Sequence, residues 1–128
     1  MTVDEVAGVV REVLGLGPDA PVRPDQLLFY DLAFTSLDLL DLIFRLEQRY
    51  AITIPEGTLA RLARGELDEA AFAVHGHLTP TGRARLVALL HDSPPAIFPE
   101  KIHVQSLPRY CTVAAFARLV DHKLAEKP

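Results

Sequence analysis

The sequence predicts an all-α protein: a bundle of three or four main helices with an additional helical or irregular segment before the last one. Apolar residues recur at helical spacing in at least three stretches of the 128-residue chain. Threonine or serine precedes each of these stretches, and both residues are favoured caps of helix N-termini. Hydrophobic residues make up 49% of the chain, which excludes a disordered polypeptide. We therefore expect residues 1–128 to form a single folded domain.

Three apolar stripes define the main helices. The first consists of Val3, Val6, Val10, Val13 and Leu14, and the helix ends at Gly15–Pro18. A loop rich in turn residues follows and extends to about Phe34. The second helix begins at Ser36, with a buried face of Leu39, Leu42, Ile43, Leu46 and Tyr50. Thr112 caps the last helix, whose stripe is Val113, Phe116, Leu119, Val120 and Leu124.

The segment from about Gly57 to Tyr110 separates the second helix from the last. We call it the insert. Its sequence predicts a short helix that stops near Gly65, followed by a stretch at 67–74 that fits helix or strand. It then predicts a helix capped by Thr79, with Pro80 as its first residue. We expect 96–108 to be mostly irregular. The many large apolar residues of the insert as a whole must be buried. We expect them to pack against the second and last helices.

Ser36 lies at the start of the second helix, where a serine is most often a simple cap. The same helix carries a second apolar row, Leu37, Leu40 and Phe44, outside its buried face. Three carboxylates, Asp38, Asp41 and Glu47, are interleaved with this row. A surface that mixes exposed apolar side chains with carboxylates suits a protein partner better than water.

The string Asp31-Leu32-Ala33-Phe34-Thr35-Ser36-Leu37-Asp38 resembles the phosphopantetheine-attachment segment of acyl carrier proteins. The usual pattern is Asp-Leu-Gly, a variable residue and Asp-Ser-Leu, followed by a helix with spaced carboxylates. The resemblance is close from Leu27 to Pro55, weaker over the first helix, and resumes near Thr112. Two positions depart from the pattern, because Ala33 replaces the glycine and Thr35 replaces the aspartate before the serine.

The resemblance implies a carrier protein that is not itself an enzyme. Its cofactor would be 4′-phosphopantetheine, attached covalently to Ser36 between Thr35 and Leu37. Its partners would be a phosphopantetheinyl transferase and acyl-transferring, condensing or ligase enzymes. They would dock on Leu37, Asp38, Leu40, Asp41, Phe44 and Glu47. The cargo would be an acyl chain, held as a thioester for fatty-acid, polyketide or specialised lipid synthesis.

Composition restricts the other classes of function. The net charge is −4, with −6 in residues 1–56 and +2 in the remainder, so we expect no nucleic-acid partner. The N-terminus lacks the features of a secretion signal, and no apolar run is long enough to span a bilayer. The single cysteine, Cys111, fits a reducing compartment, and we expect it to be buried. We therefore expect a cytoplasmic monomer without stable membrane insertion.

Several alternatives remain at the level of sequence. His75 and His77 are potential metal ligands, but the spacing supplies no third ligand, so we predict no metal site. A hydrolase triad of Ser36, a histidine and Asp92 or Asp121 lacks the nucleophile-elbow motif. The chain is alternatively an unmodified helical adaptor, or a peptidyl carrier in non-ribosomal peptide synthesis.

Overall fold

A computed structural model describes residues 2–127. This part of the chain contains α-helices, two short 3₁₀ helices and one small hairpin. The α-helices are α1 (Thr2–Leu14), α2 (Ser36–Tyr50), α3 (Thr58–Arg64), α4 (Glu69–Phe72), α5 (Pro80–Leu89) and α6 (Val113–Ala125). The strands are β1 (Ala73–Val74) and β2 (His77–Leu78), and the 3₁₀ helices span Pro95–Ile97 and Val104–Tyr110. The predicted all-α class is confirmed.

The centre of the molecule is formed by α1, which packs against both α6 and α2. The three predicted stripes meet there, because each helix buries the face on which its apolar residues recur. The fully buried side chains from these helices are Val6, Val10, Leu42, Leu46, Val113, Phe116 and Val120. Leu28, from the long loop, is also fully buried.

Residues 67–74, whose sequence fits either a helix or a strand, form part of a helix and part of a strand. The middle of this stretch forms the single turn α4, and β1 then pairs antiparallel with β2 across the two-residue turn His75-Gly76. Both turn residues have positive φ, 52° and 81°. Two-residue hairpin turns need this conformation at both positions, and glycine adopts it without strain.

The insert packs as predicted, but its main contacts differ from those expected. Leu86 and Leu90 are buried, as are Phe98 and Ile102. The principal neighbours of α5 are α3, α4 and β2 rather than α2. Polar contacts also join it to the last helix, because Arg118 of α6 binds the Asp92 carboxylate and the Leu89 carbonyl. The later part of the insert therefore packs on its own first helix, α3, and also contacts α6.

Residues 96–108, expected to be mostly irregular, are more regular than the sequence indicates. The 3₁₀ helix Pro95–Ile97 begins at a proline, and Val104–Tyr110 continues through Pro108. Short 3₁₀ helices carry little hydrophobic periodicity, which explains why the apolar pattern does not reveal them. Among residues 2–127, no helix is long and apolar enough to cross a membrane.

Candidate functional site

The start of α2 is fixed by a reciprocal cap. The Thr35 hydroxyl accepts a hydrogen bond from the Asp38 backbone N–H at 3.2 Å. The Asp38 carboxylate accepts one from the Thr35 N–H at 2.8 Å. This arrangement is a capping box, in which each residue satisfies a backbone donor of the other. Thr35, rather than Ser36, is therefore the cap, and the Ser36 hydroxyl is left free of that role.

Ser36 is the first residue of α2, and it is exposed. Its hydroxyl makes no hydrogen bond to any residue in the described range 2–127. The backbone N–H groups of Ser36 and Leu37 likewise have no acceptor among those residues, as expected for the first turn of a helix. The site thus combines an accessible hydroxyl with donors that favour an anion.

The loop before the serine, residues 27–35, is wrapped tightly around Leu28. We call it the attachment loop. The Leu28 carbonyl accepts a hydrogen bond from the Phe34 N–H at 3.0 Å, and the Leu27 N–H donates to Asp31 Oδ2 at 2.8 Å. Ala33 has a φ of 55°, in the left-handed region that favours glycine. Its place in the loop is the one at which the resemblance leads us to expect glycine.

The predicted apolar row lies exposed along α2. Leu37, Leu40 and Phe44 are 76%, 62% and 60% exposed. The opposite face buries Leu42 and Leu46 completely, while Leu39, Ile43 and Tyr50 are partly buried. The helix therefore uses one face for the core and leaves three large apolar side chains free beside Ser36.

The three carboxylates of α2 all have partners within the chain. Asp38 belongs to the cap, and Glu47 accepts the Ile54 N–H at 2.8 Å. Asp41 accepts a hydrogen bond from Arg45 Nε at 2.9 Å. Arg45 was not among the predicted site residues, although its position four residues after Asp41 is the spacing of a helical ion pair. Asp41 is thus the carboxylate of this set that contacts only another side chain.

Cys111, beneath the attachment loop, is fully buried as predicted. Burial, together with the smaller effect of the Asp92 charge, raises the pKa of its thiol to about 12. The thiol therefore stays neutral. His75 and His77 lie around the hairpin turn, and no group of three metal-ligating side chains occurs within residues 2–127.

Comparison with known proteins places these features in a family context. The sequence profile described as a phosphopantetheine attachment site matches residues 4–64. The chain is 39% identical over 59 residues to an acyl carrier protein of Campylobacter hominis, a match that covers 46% of this chain and 73% of that protein. It is 37% identical over 65 residues to an acyl carrier protein of Campylobacter jejuni strain RM1221, covering 51% and 83%.

A third relative is an acyl carrier protein of Sulfurovum sp. strain NBC37-1, 37% identical over 60 residues, with 47% of this chain and 79% of that protein covered. No solved structure matches the chain significantly. The profile match contains most of α1, the attachment loop, α2 and α3, and thus the exposed serine with its apolar row. It ends at Arg64, inside the predicted insert, so the part without a profile match begins after α3.

Proposed function

We propose, because this chain belongs to the acyl carrier protein family, that it carries an acyl group as a thioester on a 4′-phosphopantetheine arm attached to Ser36. The family's covalent 4′-phosphopantetheine is its cofactor, and the protein is a carrier rather than a catalytic enzyme. The single observation that carries the choice of residue is the exposed Ser36 hydroxyl, free of the capping role that Thr35 fulfils.

The residues around Ser36 fit the chemistry of the arm. Its link to the protein is a phosphodiester, which is an anion, and the free N–H groups of Ser36 and Leu37 are donors at the positive end of the helix dipole. The terminal thiol of the bound arm holds the acyl group as a thioester. The attached end of the arm would be held by Ser36, Thr35 and Leu37. The capped helix would fix the direction in which the arm leaves the protein.

The chain would be a substrate during attachment. The Ser36 Oγ would form a bond to the phosphorus of the pantetheine phosphate of coenzyme A, and the nucleotide part of coenzyme A would leave. The hydroxyl proton would pass to a base of the transferase. This chain therefore needs no base of its own, and the exposure of Ser36 supplies the access that a second active site requires.

Partner enzymes would dock on α2. The exposed Leu37, Leu40 and Phe44 would enter apolar pockets, and Asp41 would face basic residues of the partner. Asp38 and Glu47 border the same surface, although both already bind backbone N–H groups of this chain. Charge complementarity of this kind acts mainly on the association rate.

The remaining proposals concern the whole chain. We propose that residues 1–128 form one domain, with an insert at about 57–110 between α2 and the last helix. The packing of α6 against α1 supports this arrangement, because it joins the two ends of the chain. We also propose that the protein acts as a monomer in a reducing cytoplasm. It would serve fatty-acid, polyketide or specialised lipid synthesis.

Intact mass tests the assignment. The protein is incubated with coenzyme A and a broad-specificity phosphopantetheinyl transferase, beside the variant Ser36→Ala and the control variant Ser106→Ala, which removes a different serine hydroxyl. We expect one phosphopantetheine on the wild type and on Ser106→Ala, and none on Ser36→Ala. Modification that persists in Ser36→Ala would refute attachment at Ser36. A wild type that stays unmodified would favour the adaptor alternative.

Thr35 gives a second test of the same site. Aspartate is as good a helix cap as threonine, so Thr35→Asp keeps the fold while it adds the charge that the family pattern carries before the serine. We expect faster modification of Thr35→Asp by the same transferase, measured as the initial rate. Thr35→Asn, which caps without the charge, is the control. Equal rates for the Asp and Asn variants would show that the missing charge is irrelevant.

A further inference from the structure

A line of buried hydrogen bonds joins the insert to the attachment loop. It begins at Ser93, which follows α5 and is 4% exposed. The Ser93 hydroxyl donates to the Tyr110 carbonyl at 2.6 Å. Tyr110 is the last residue of the insert, and it is buried as well. A hydroxyl and a carbonyl that are both withdrawn from water depend on each other for a partner.

The line continues directly into the loop that carries the serine. Cys111, the residue after Tyr110, accepts the Leu28 N–H through its carbonyl at 3.1 Å. The Leu28 carbonyl in turn accepts the Phe34 N–H at 3.0 Å. Phe34 is followed by the Thr35 cap and then by Ser36. Leu28 and Cys111 are fully buried, so no water replaces these bonds when one is lost.

The start of the line is itself anchored. Asp92, next to Ser93, binds Arg118 of α6 through two hydrogen bonds of 2.8 and 3.1 Å. The Ser93 N–H donates to the Leu90 carbonyl at 3.0 Å, which ties it to the end of α5. The two-pronged Arg118 contact has a fixed geometry. Ser93 therefore sits on a rigid support formed by α5 and α6.

We propose that Ser93 is a positioning residue for the attachment of the arm. Through Tyr110, Cys111 and Leu28 it holds the attachment loop, and with it the Ser36 hydroxyl, in one conformation. This inference rests on the proposed function of Ser36 and adds a role for the insert, which makes the presentation of the serine depend on a residue 57 positions away in the chain.

The physical reason is the cost of ordering a loop. A loop that is already ordered loses less conformational entropy when it enters the active site of the transferase. If the Ser93 bond is lost, the Tyr110 carbonyl has no partner in its buried site, and the chain at 110–111 is free to shift. The Cys111 carbonyl would then hold Leu28 less firmly, and the loop would open more often.

Hydrogen exchange of the Leu28 and Phe34 amides tests the coupling. In Ser93→Ala we expect both amides to exchange about tenfold faster than in the wild type. Ser93→Thr, which keeps the hydroxyl, should restore slow exchange. Thr58→Ala is the matched control, because Thr58 is also buried and its hydroxyl also donates to a carbonyl, that of Pro55, at 2.5 Å. We expect it to change exchange at Leu28 and Phe34 by less than about twofold.

The outcomes separate positioning from general stability. Unchanged exchange at Leu28 and Phe34 in Ser93→Ala would overturn the proposal, as would equal acceleration by Thr58→Ala. Should Ser93→Ala fail to fold, Ser93→Cys keeps a weaker donor in the same place and permits the same comparison. These measurements do not involve coenzyme A, so they stand even if Ser36 proves not to be the attachment residue.

Transferase kinetics supply the functional readout. With a broad-specificity phosphopantetheinyl transferase, we expect Ser93→Ala to raise KM for this protein several-fold with kcat nearly unchanged, and Ser93→Thr to restore the wild-type KM. Unchanged KM in Ser93→Ala, despite faster exchange in the loop, would overturn the positioning role.

Discussion

At the residue scale, two glycines that both lie in α-helices differ in the space that a side chain would have. A Cβ on Gly82, in the first turn of α5, would lie 2.0 Å from the Phe72 carbonyl oxygen. A Cβ on Gly8, within α1, would have no atom within 4 Å other than those of the adjacent residues and backbone of α1 itself. Gly82 is therefore required by the close approach of α5 to α4, while Gly8 is not required by packing.

The pair yields a stability prediction. Gly82→Ala must displace backbone, and we expect it to lower the free energy of unfolding by about 2 kcal/mol or more. Gly8→Ala gains helix propensity and should raise it by about 0.5–1 kcal/mol. Urea denaturation followed by circular dichroism measures both. A Gly82→Ala protein as stable as the wild type would contradict the packing of α5 against α4.

The Asp92–Arg118 pair predicts a dependence on pH. Burial of Asp92 would raise its pKa, but the hydrogen bonds and charge of Arg118 outweigh burial, so its pKa lies below the ordinary value. A carboxyl with a depressed pKa in the folded state adds stability above its unfolded pKa, which is about 3.9. That stability is lost as pH falls through the folded pKa.

We therefore expect the wild type to lose stability in acid below about pH 4, and Asp92→Asn to lose less over the same range. Thermal unfolding between neutral pH and acid measures this difference. Asp121, which is exposed and accepts a hydrogen bond from the Thr2 hydroxyl at 2.6 Å, provides the control variant Asp121→Asn. Parallel pH profiles for wild type and Asp92→Asn would contradict the role of the pair.

At the element scale, the beginnings of the main helices could be predicted and their long-range bonds could not. Thr35, Thr79 and Thr112 each cap the helix that the sequence indicates, because capping depends on a few adjacent residues. The hairpin of β1 and β2 is too short to show a strand period. The hydrogen bond from the Ile54 N–H to the Glu47 carboxylate forms only because the chain turns back at Ala51, whose φ is 52°.

The exposed face of α2 carries the docking prediction. Phe44→Ala and Leu40→Ala remove large side chains that already face solvent, so we expect stability within about 0.5 kcal/mol of the wild type. If these side chains enter partner pockets, KM for the phosphopantetheinyl transferase should rise about tenfold. Leu16→Ala is the control, since Leu16 is 42% exposed but lies beyond the end of α1. Equal KM values for all these variants would place docking elsewhere.

At the scale of the whole molecule, the sequence predicts the helical class, the position of Ser36 at the start of α2 and the burial of the insert. The arrangement of the insert could not be predicted. An apolar stripe shows that a helix has a buried face but not which neighbour covers it, and α5 packs on α3 and α4 rather than on α2. The contact of Ser93 with Tyr110 joins residues 17 positions apart. No local pattern encodes such a contact.

The central claim is that Ser36 carries the arm and its acyl cargo. The most direct test is the intact mass of the protein purified from its native host, followed by fragmentation of the peptide that contains Ser36. We predict one phosphopantetheine on that peptide and, in the intact protein, an added acyl group that neutral hydroxylamine removes, as it removes thioesters. A native protein with the unmodified mass, or an arm found on any other residue, would contradict the account.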